Sequence, residues 1–276
     1  MVDYAALIHP TGLGASCETR LAALLSMTGF HHAANNVRHG RSPRGGRPPP
    51  RWNVMPPIGH DAAMDDDLGL PQGAFARLDE EDDEAFYEPA RLVCHIDGNA
   101  IRVLTQLYRE ILPADGVLLD LMSSWVSHLP KDVEYAEVIG HGMNAEELAA
   151  NPRLARRFIQ NLNRDTALPF AVASIDAAMI CVSIQYLQQP VAVLREVARV
   201  LRPGGVLVVS FSNRCFWTKA VAVWRGLDDA GHARLVELYL RTAGFERIET
   251  RRLAPWIEDE QDPMYAVIGY TSAKYD

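Results

Sequence analysis

From Phe86 onward, short apolar runs alternate with stretches of helical period. Val117-Leu118-Leu119 and Leu121 form such a run, opened by Gly116 after the polar Pro113-Ala114-Asp115. A run of this length between turn residues predicts a strand buried on both faces of a parallel sheet. The same reading predicts strands over 133–140, 158–160, 175–184 and 206–211, one near Ile248, and a last one over 264–270. Ahead of the first strand, Leu92, Val93 and Ile96 and then Ile101, Leu104, Leu107, Tyr108 and Leu112 recur at helical spacing. They predict two helices, or one broken near Gly98. Asn144-Ala145-Glu146-Glu147 fits a capping box that opens a helix at Leu148. Val191, Leu194, Val197, Val200 and Leu201 mark an amphipathic helix, Pro203-Gly204-Gly205 a tight turn, and 219–224 and 232–243 two more helices. Strand alternating with helix in this way predicts an open, mostly parallel α/β sheet, doubly wound with helices on both faces.

The flanks read differently. Residues 1–60 hold Arg38, Arg41, Arg44, Arg47 and Arg51 among Gly45-Gly46 and Pro48-Pro49-Pro50, with almost no acids. This composition predicts a disordered basic extension, with one short helix over 21–30. An organelle transit peptide, or a working start near Met55 or Met64, are the other readings of it. Residues 61–84 carry Asp65-Asp66-Asp67 and the acids of 80–84 and predict a solvated acidic linker. Residues 85–276 are then the folded domain.

Composition narrows the function. The chain has 276 residues, 48% of them hydrophobic, enough for one full α/β domain with appendages. The net charge of -8 argues against a nucleic-acid partner, and no apolar run reaches membrane-spanning length. Cys17, Cys94, Cys181 and Cys215 show neither C-x-x-C spacing nor paired histidines, so no metal centre or disulfide framework is indicated and a reducing, cytoplasmic setting is expected. Asp120 is the first chemical clue. It interrupts the apolar run of the first strand at its carboxyl end, where open α/β sheets bind ligands. It either faces that crevice or caps the turn Met122–Ser124.

Further motifs carry a resemblance. Leu168-Pro169-Phe170, Ile175-Asp176 and Glu196-Val197-Ala198-Arg199-Val200-Leu201-Arg202-Pro203-Gly204-Gly205 resemble the later motifs of class I S-adenosylmethionine-dependent methyltransferases, and most nearly the type 11 small-molecule subgroup. The resemblance covers roughly residues 85–272. It implies a Rossmann-like methyltransferase fold with seven strands in the order 3-2-1-4-5-7-6, the seventh antiparallel, and an N-terminal helical lid. It also implies S-adenosyl-L-methionine as cofactor. The family's acid-x-Gly-x-Gly-x-Gly motif aligns its acid with Asp120, but Met122, Ser124 and Val126 stand at the glycines. Gly142 stands where the second strand of the family ends in a ribose-binding acid, with Asn144 two residues on, and Asn161 replaces a third acid.

Two functions follow from these departures. In one, substitute chemistry keeps the cofactor. Asp120, Met122, Ser123, Ser124, Gly142, Met143, Asn144, Asn161, Leu162, Asn163 and Ser183 then form its site, and a methyl group goes to a small-molecule acceptor. In the other, the fold no longer methylates and binds another ligand or a protein. For catalysis, Tyr87, Arg91 and His95 of the lid and Asn213 after the fifth strand are the candidates, with Gln185, Tyr186, Ser212 and Arg214 beside them. Arg91 and His95, spaced i, i+4, would share a helix face, the arginine for a carboxylate and the histidine as base. Alternatively Arg91 pairs with Glu88 or Asp97, and His95 is an interfacial histidine. Trp125 and His128 cover the cofactor or fill the helix after the first strand, and His141 is ambiguous.

Overall fold

The computed structural model describes residues 68–258 and 260–273. The predicted extension over 1–60, and the linker as far as residue 67, lie outside the described residues. The elements are α1 (Asp83–Tyr87), α2 (Gly98–Ile111), β1 (Val117–Leu121), β2 (Glu137–Gly142), α3 (Ala145–Ala150), β3 (Arg156–Ile159), β4 (Ile175–Cys181), α4 (Pro190–Val200), β5 (Leu201–Phe211), α5 (Ala222–Arg225), α6 (Asp229–Thr242), β6 (Arg247–Ala254) and β7 (Met264–Tyr270). A 3-10 turn, Ile184–Tyr186, follows β4.

The strands form one sheet in the order β3-β2-β1-β4-β5-β7-β6. β1 through β5 pair in parallel, and β7 runs antiparallel between β5 and β6. The predicted order therefore holds. β1 is apolar because it lies between β2 and β4, with Leu118 on one face and Leu119 and Leu121 on the other. Ala100, Leu104, Leu107 and Tyr108 of α2 cover the Leu118 face at spacings of four, three and one. Val191, Leu194 and Val197 of α4, with Leu235, Val236 and Leu240 of α6, cover the other.

Several expectations need correction. No helix follows β1. Residues 122–136 run as coil, with Leu129 buried against the α2 face. Residues 88–97 are also irregular, so Leu92 and Val93 are exposed rather than packed on a helix face. Among the described residues, the lid is a strap whose only helix is the five-residue α1.

The acidic stretch is not a solvated linker over its described part. Leu68 and Ala74 enter the core, and the amides of Ala222 and Val223 donate to the carbonyls of Ala76 and Ala74 at 2.8 Å each. Asp83 is buried and accepts from the Arg77 guanidinium at 2.6 Å. Lys219, 1% exposed, donates to the Glu81 carbonyl at 2.7 Å and lies 3.2 Å from Asp79 and 3.5 Å from Asp83. The acids therefore serve as counter-charges for two buried cations, which is the condition under which such cations are tolerated. The predicted helix over 219–224 shortens to α5, because Lys219 is held in this cluster instead.

Candidate active site

A cleft of about 190 Å³ opens at the carboxyl ends of β1, β2 and β4. The coil after β1 lines its floor, and the strap and residues 214–216 line its walls. This is the switch point of the sheet, where the strand order turns from β1 toward β2 on one side and β4 on the other.

Asp120 sits at the tip of β1, 3% exposed, and its Oδ2 accepts from the Ser123 hydroxyl at 2.6 Å. Burial pushes its carboxyl up to about 6, against the opposing effect of the serine hydrogen bonds. The chain then turns through Met122 in the left-handed region, φ 57°. A glycine would enter that region without strain. Here His141 holds the turn instead. The Met122 amide donates to His141 Nδ1 at 3.0 Å, the Ser123 amide donates to the His141 carbonyl at 2.6 Å, and the imidazole Nε2 lies 2.9 Å from the Gln160 carbonyl. An Nδ1 that accepts leaves the proton on Nε2, which donates to Gln160. Burial depresses the imidazole pKa to about 4, so it stays neutral.

This arrangement accounts for Gly142. A β-carbon there would stand 2.6 Å from the Ser123 carbonyl oxygen. The family's ribose acid is excluded because the coil after β1 occupies its space.

The remaining residues of the expected cofactor set are mostly engaged. The Ser124 hydroxyl donates to Glu147 Oε2 at 2.6 Å, and the Ser123 hydroxyl is already on Asp120. Asn144 caps α3 by accepting from the Glu147 amide, and its amide group donates to the carbonyls of Tyr87 and Glu88. Its side-chain N–H groups are therefore committed to the strap and do not face a ribose. The predicted capping box is only half formed. The Glu147 carboxylate turns away from Asn144 to take the Arg91 amide at 2.7 Å and the Ser124 hydroxyl. Asn161 closes a turn by accepting from the Asn163 amide. Asn163 ties Asp83, the Tyr186 carbonyl and the Gln188 amide together, so its side chain is also committed. Met143 and Leu162 line the cleft as apolar wall. Ser183 differs. It lines the cleft after β4, and its hydroxyl is buried without a hydrogen-bond partner.

Of the expected catalytic set, Tyr87, Arg91 and His95 reach the cleft. The Arg91 guanidinium folds back on the strap, donating to the carbonyls of Phe86 and Pro89 and lying 4.7 Å from the centre of the Phe86 ring. It therefore pairs with neither Glu88 nor Asp97. The strap is not helical, so Arg91 and His95 do not share a helix face. His95 is exposed at the mouth of the cleft, with its ring edge-on to Phe216 at 5.2 Å. Its pKa is lowered by the surrounding strap and by Arg91, against the pull of Glu147, so the imidazole is neutral at pH 7. Burial, and then Asp83, push the Tyr87 phenol far up, which keeps it protonated. Asn213 is exposed and absent from the cleft lining; the next residue, Arg214, takes the place expected of it. Sequence reasoning missed Glu147 as a site residue because its capping position explained it fully. Phe216 and Cys181 line the cleft without any preceding sequence signal. Among the described residues, no three His, Cys, Asp or Glu side chains converge as a metal site, and no helix is long and apolar enough to cross a membrane.

Residues 122–209, which begin at the β1 turn and end in β5, match the family model for a methyltransferase domain. The matched stretch is similar to a methyltransferase domain of the type 11 kind. Its family match runs through the divergent turn as well as the later motifs. A curated relative, malonyl-[acyl-carrier protein] O-methyltransferase of Hahella chejuensis, is 30% identical over 134 residues, covering 47% of each chain. The chain thus spans about half the length of the curated relative that it matches. Two solved structures are similar at greater distance. The [4+2]-cyclase SpnF has 17% identity and a TM-score of 0.48, covering 67% of this chain and 90% of that one. A possible histamine N-methyltransferase of Thermotoga maritima has 20% identity and a TM-score of 0.45, covering 63% and 91%.

Proposed function

We propose that this chain transfers a methyl group from S-adenosylmethionine to a small-molecule acceptor. The observation that carries this reading is Asp120, a buried carboxylate at the switch point of a methyltransferase sheet that opens into the cleft. When bound, S-adenosylmethionine supplies an electrophilic methyl group and a positive charge. The donor set suits that charge. Asp120 would hold the cationic amino-acid end, and a cation beside it would draw its pKa back toward the ordinary carboxylate range. Ser183, buried and unpartnered, offers a hydroxyl from the tip of β4. Met143 and Leu162 would pack against the flat apolar part of the ligand. The neutral imidazole of His95 would take the proton of an acceptor that carries one. The strap excludes water, with Trp125 Nε1 donating to the Val93 carbonyl at 3.0 Å to close the coil against it.

The other reading, a non-catalytic fold for another ligand or a protein, is supported by the committed side chains of Ser123, Ser124 and Asn144. Calorimetry separates the two. Micromolar binding of both S-adenosylmethionine and S-adenosylhomocysteine is expected. An absence of heat with either ligand at millimolar concentration would establish the non-catalytic reading.

A further inference from the structure

Arg214 is a cleft residue to which the cofactor reading assigns no part. It lines the wall that follows β5. Its Nε donates to Asp262 Oδ1 at 2.7 Å, and Asp262 is 5% exposed. Asp262 is itself fixed by a reciprocal pair: its Oδ2 accepts from the Asp97 amide at 3.0 Å, and its own amide donates to Asp97 Oδ2 at 2.6 Å. Asp97 also caps α2 through the Ala100 amide at 2.7 Å. Three segments, namely the exit of β5, the β6–β7 connection and the start of α2, thus clamp one edge of a single guanidinium. Its two terminal amino groups make no hydrogen bond or ion pair among the described residues.

Arg91 sets the contrast. Its guanidinium lies 4.7 Å from the ring centre of Phe86 and 5.5 Å from that of Phe216. Phe216 lines the cleft, where a ring face suits an ammonium group, and here the chain's own cation already lies over it. An amine acceptor therefore finds its natural contact filled. An oxyanion finds a planar, pre-oriented pair of N–H donors on Arg214, the geometry that matches a carboxylate.

We propose that Arg214 is an oxyanion subsite that holds a carboxylate of the acceptor, so that the substrate of this domain is a carboxylic acid rather than an amine. The word acceptor rests on the methyl-transfer reading; the subsite itself rests on the clamped guanidinium. Arg214 is a binding residue in this proposal, and Asp262 and Asp97 are positioning residues.

The test uses the full chain, labelled with 15N-arginine, titrated separately with malonate, inorganic phosphate and ethanolamine. Malonate is expected to move the Arg214 side-chain resonances. Its binding should weaken by about tenfold or more in Arg214→Met, since a charge-assisted contact is lost, and be partly retained in Arg214→Lys. Should Arg214→Met fail to fold, the shifts in the wild type and the Arg214→Lys variant decide the matter. Three results overturn the proposal: phosphate preferred over malonate, ethanolamine bound as well as malonate, or resonances unmoved by every probe at tens of millimolar. Calorimetry with S-adenosylhomocysteine on the same samples keeps the two readings apart. Malonate shifts without that heat mean that the methyl-transfer reading has failed and the subsite stands. Heat without malonate shifts means the reverse.

Discussion

The two parallel connections at the centre of the sheet solve the same problem differently. Between β4 and β5 the chain forms α4, whose Val191, Leu194 and Val197 lie on the core. Glu196 and Arg199 then fasten that helix to residues 168–170. Glu196 accepts from the Leu168 amide at 2.8 Å, and Arg199 donates to the carbonyls of Leu168 and Phe170. Between β1 and β2 there is no helix. A coil is fastened by the neutral imidazole of His141, by Ser123 on Asp120, and by Asn151, which donates to the Ser124 carbonyl and the Ser127 hydroxyl. The first connection is held by apolar area with a polar clasp at its edge. The second is held by buried hydrogen bonds, each of which costs more to leave unmade than it contributes when made. The resemblance to the methyltransferase pattern holds where packing dictates it and departs where hydrogen bonds stand in place of glycines.

This contrast can be broken from either side. The largest effect is expected in the packed connection. Leu194→Ala removes a fully buried side chain and should lower stability by about 2–5 kcal/mol in denaturant titration. In the coil, the dominant effect depends on pH. The Asp120 carboxyl titrates near 6 in the folded chain, above its ordinary 3.8. A raised folded pKa means that the stabilisation is complete below about 4 and is lost as pH rises through 6, up to about 3 kcal/mol in all. His141, depressed to about 4, acts in the opposite sense over the same window, so the wild-type curve alone conceals the effect. Subtracting an Asp120→Asn curve should expose it, and an unchanged pH slope in that variant would contradict it. By the same charge argument, binding of cationic S-adenosylmethionine should tighten as pH rises from 5 to 7 and lose that trend in Asp120→Asn.

Next in size is Gly142→Ala, whose added carbon meets the Ser123 carbonyl. A cost of about 1–3 kcal/mol is expected, together with weakened S-adenosylhomocysteine binding, read by thermal shift and calorimetry. Glu196→Ala should cost about 1 kcal/mol, because only a partly exposed clasp is lost while the apolar face of α4 remains. If Glu196→Ala proved more damaging than Gly142→Ala, the division between a packed and a hydrogen-bonded connection would not stand.

The same division explains what the sequence made legible. The apolar runs of β1, β4, β5 and β7 and the spacing of Leu104, Leu107 and Tyr108 report burial directly, so these strands and α2 follow from them, whereas the strand order came only with the family resemblance. Burial does not report hydrogen-bond direction. Asn144 reads as a cap and is one, but the choice of Glu147 between its own helix and the strap depends on Arg91 and Ser124, which are distant in the chain. Leu92, Val93 and Ile96 show helical spacing, and only Ile96 is buried. Tertiary hydrogen bonds to the Asn144 and Glu147 side chains hold that segment in an irregular path which local pattern does not encode. The acids of 79–84 read as solvated because nothing in their own sequence announces Lys219 and Arg77 as buried counter-ions.

The histidine clasp also alters how this molecule breathes. Backbone amides in coil ordinarily trade their protons with water within moments, whereas those of Met122 and Ser123 are held by an imidazole nitrogen and a strand carbonyl. In a deuterium-uptake map, these two positions should remain dark as long as the central strands do, an island of slow exchange at the head of a ribbon whose unbonded amides label early.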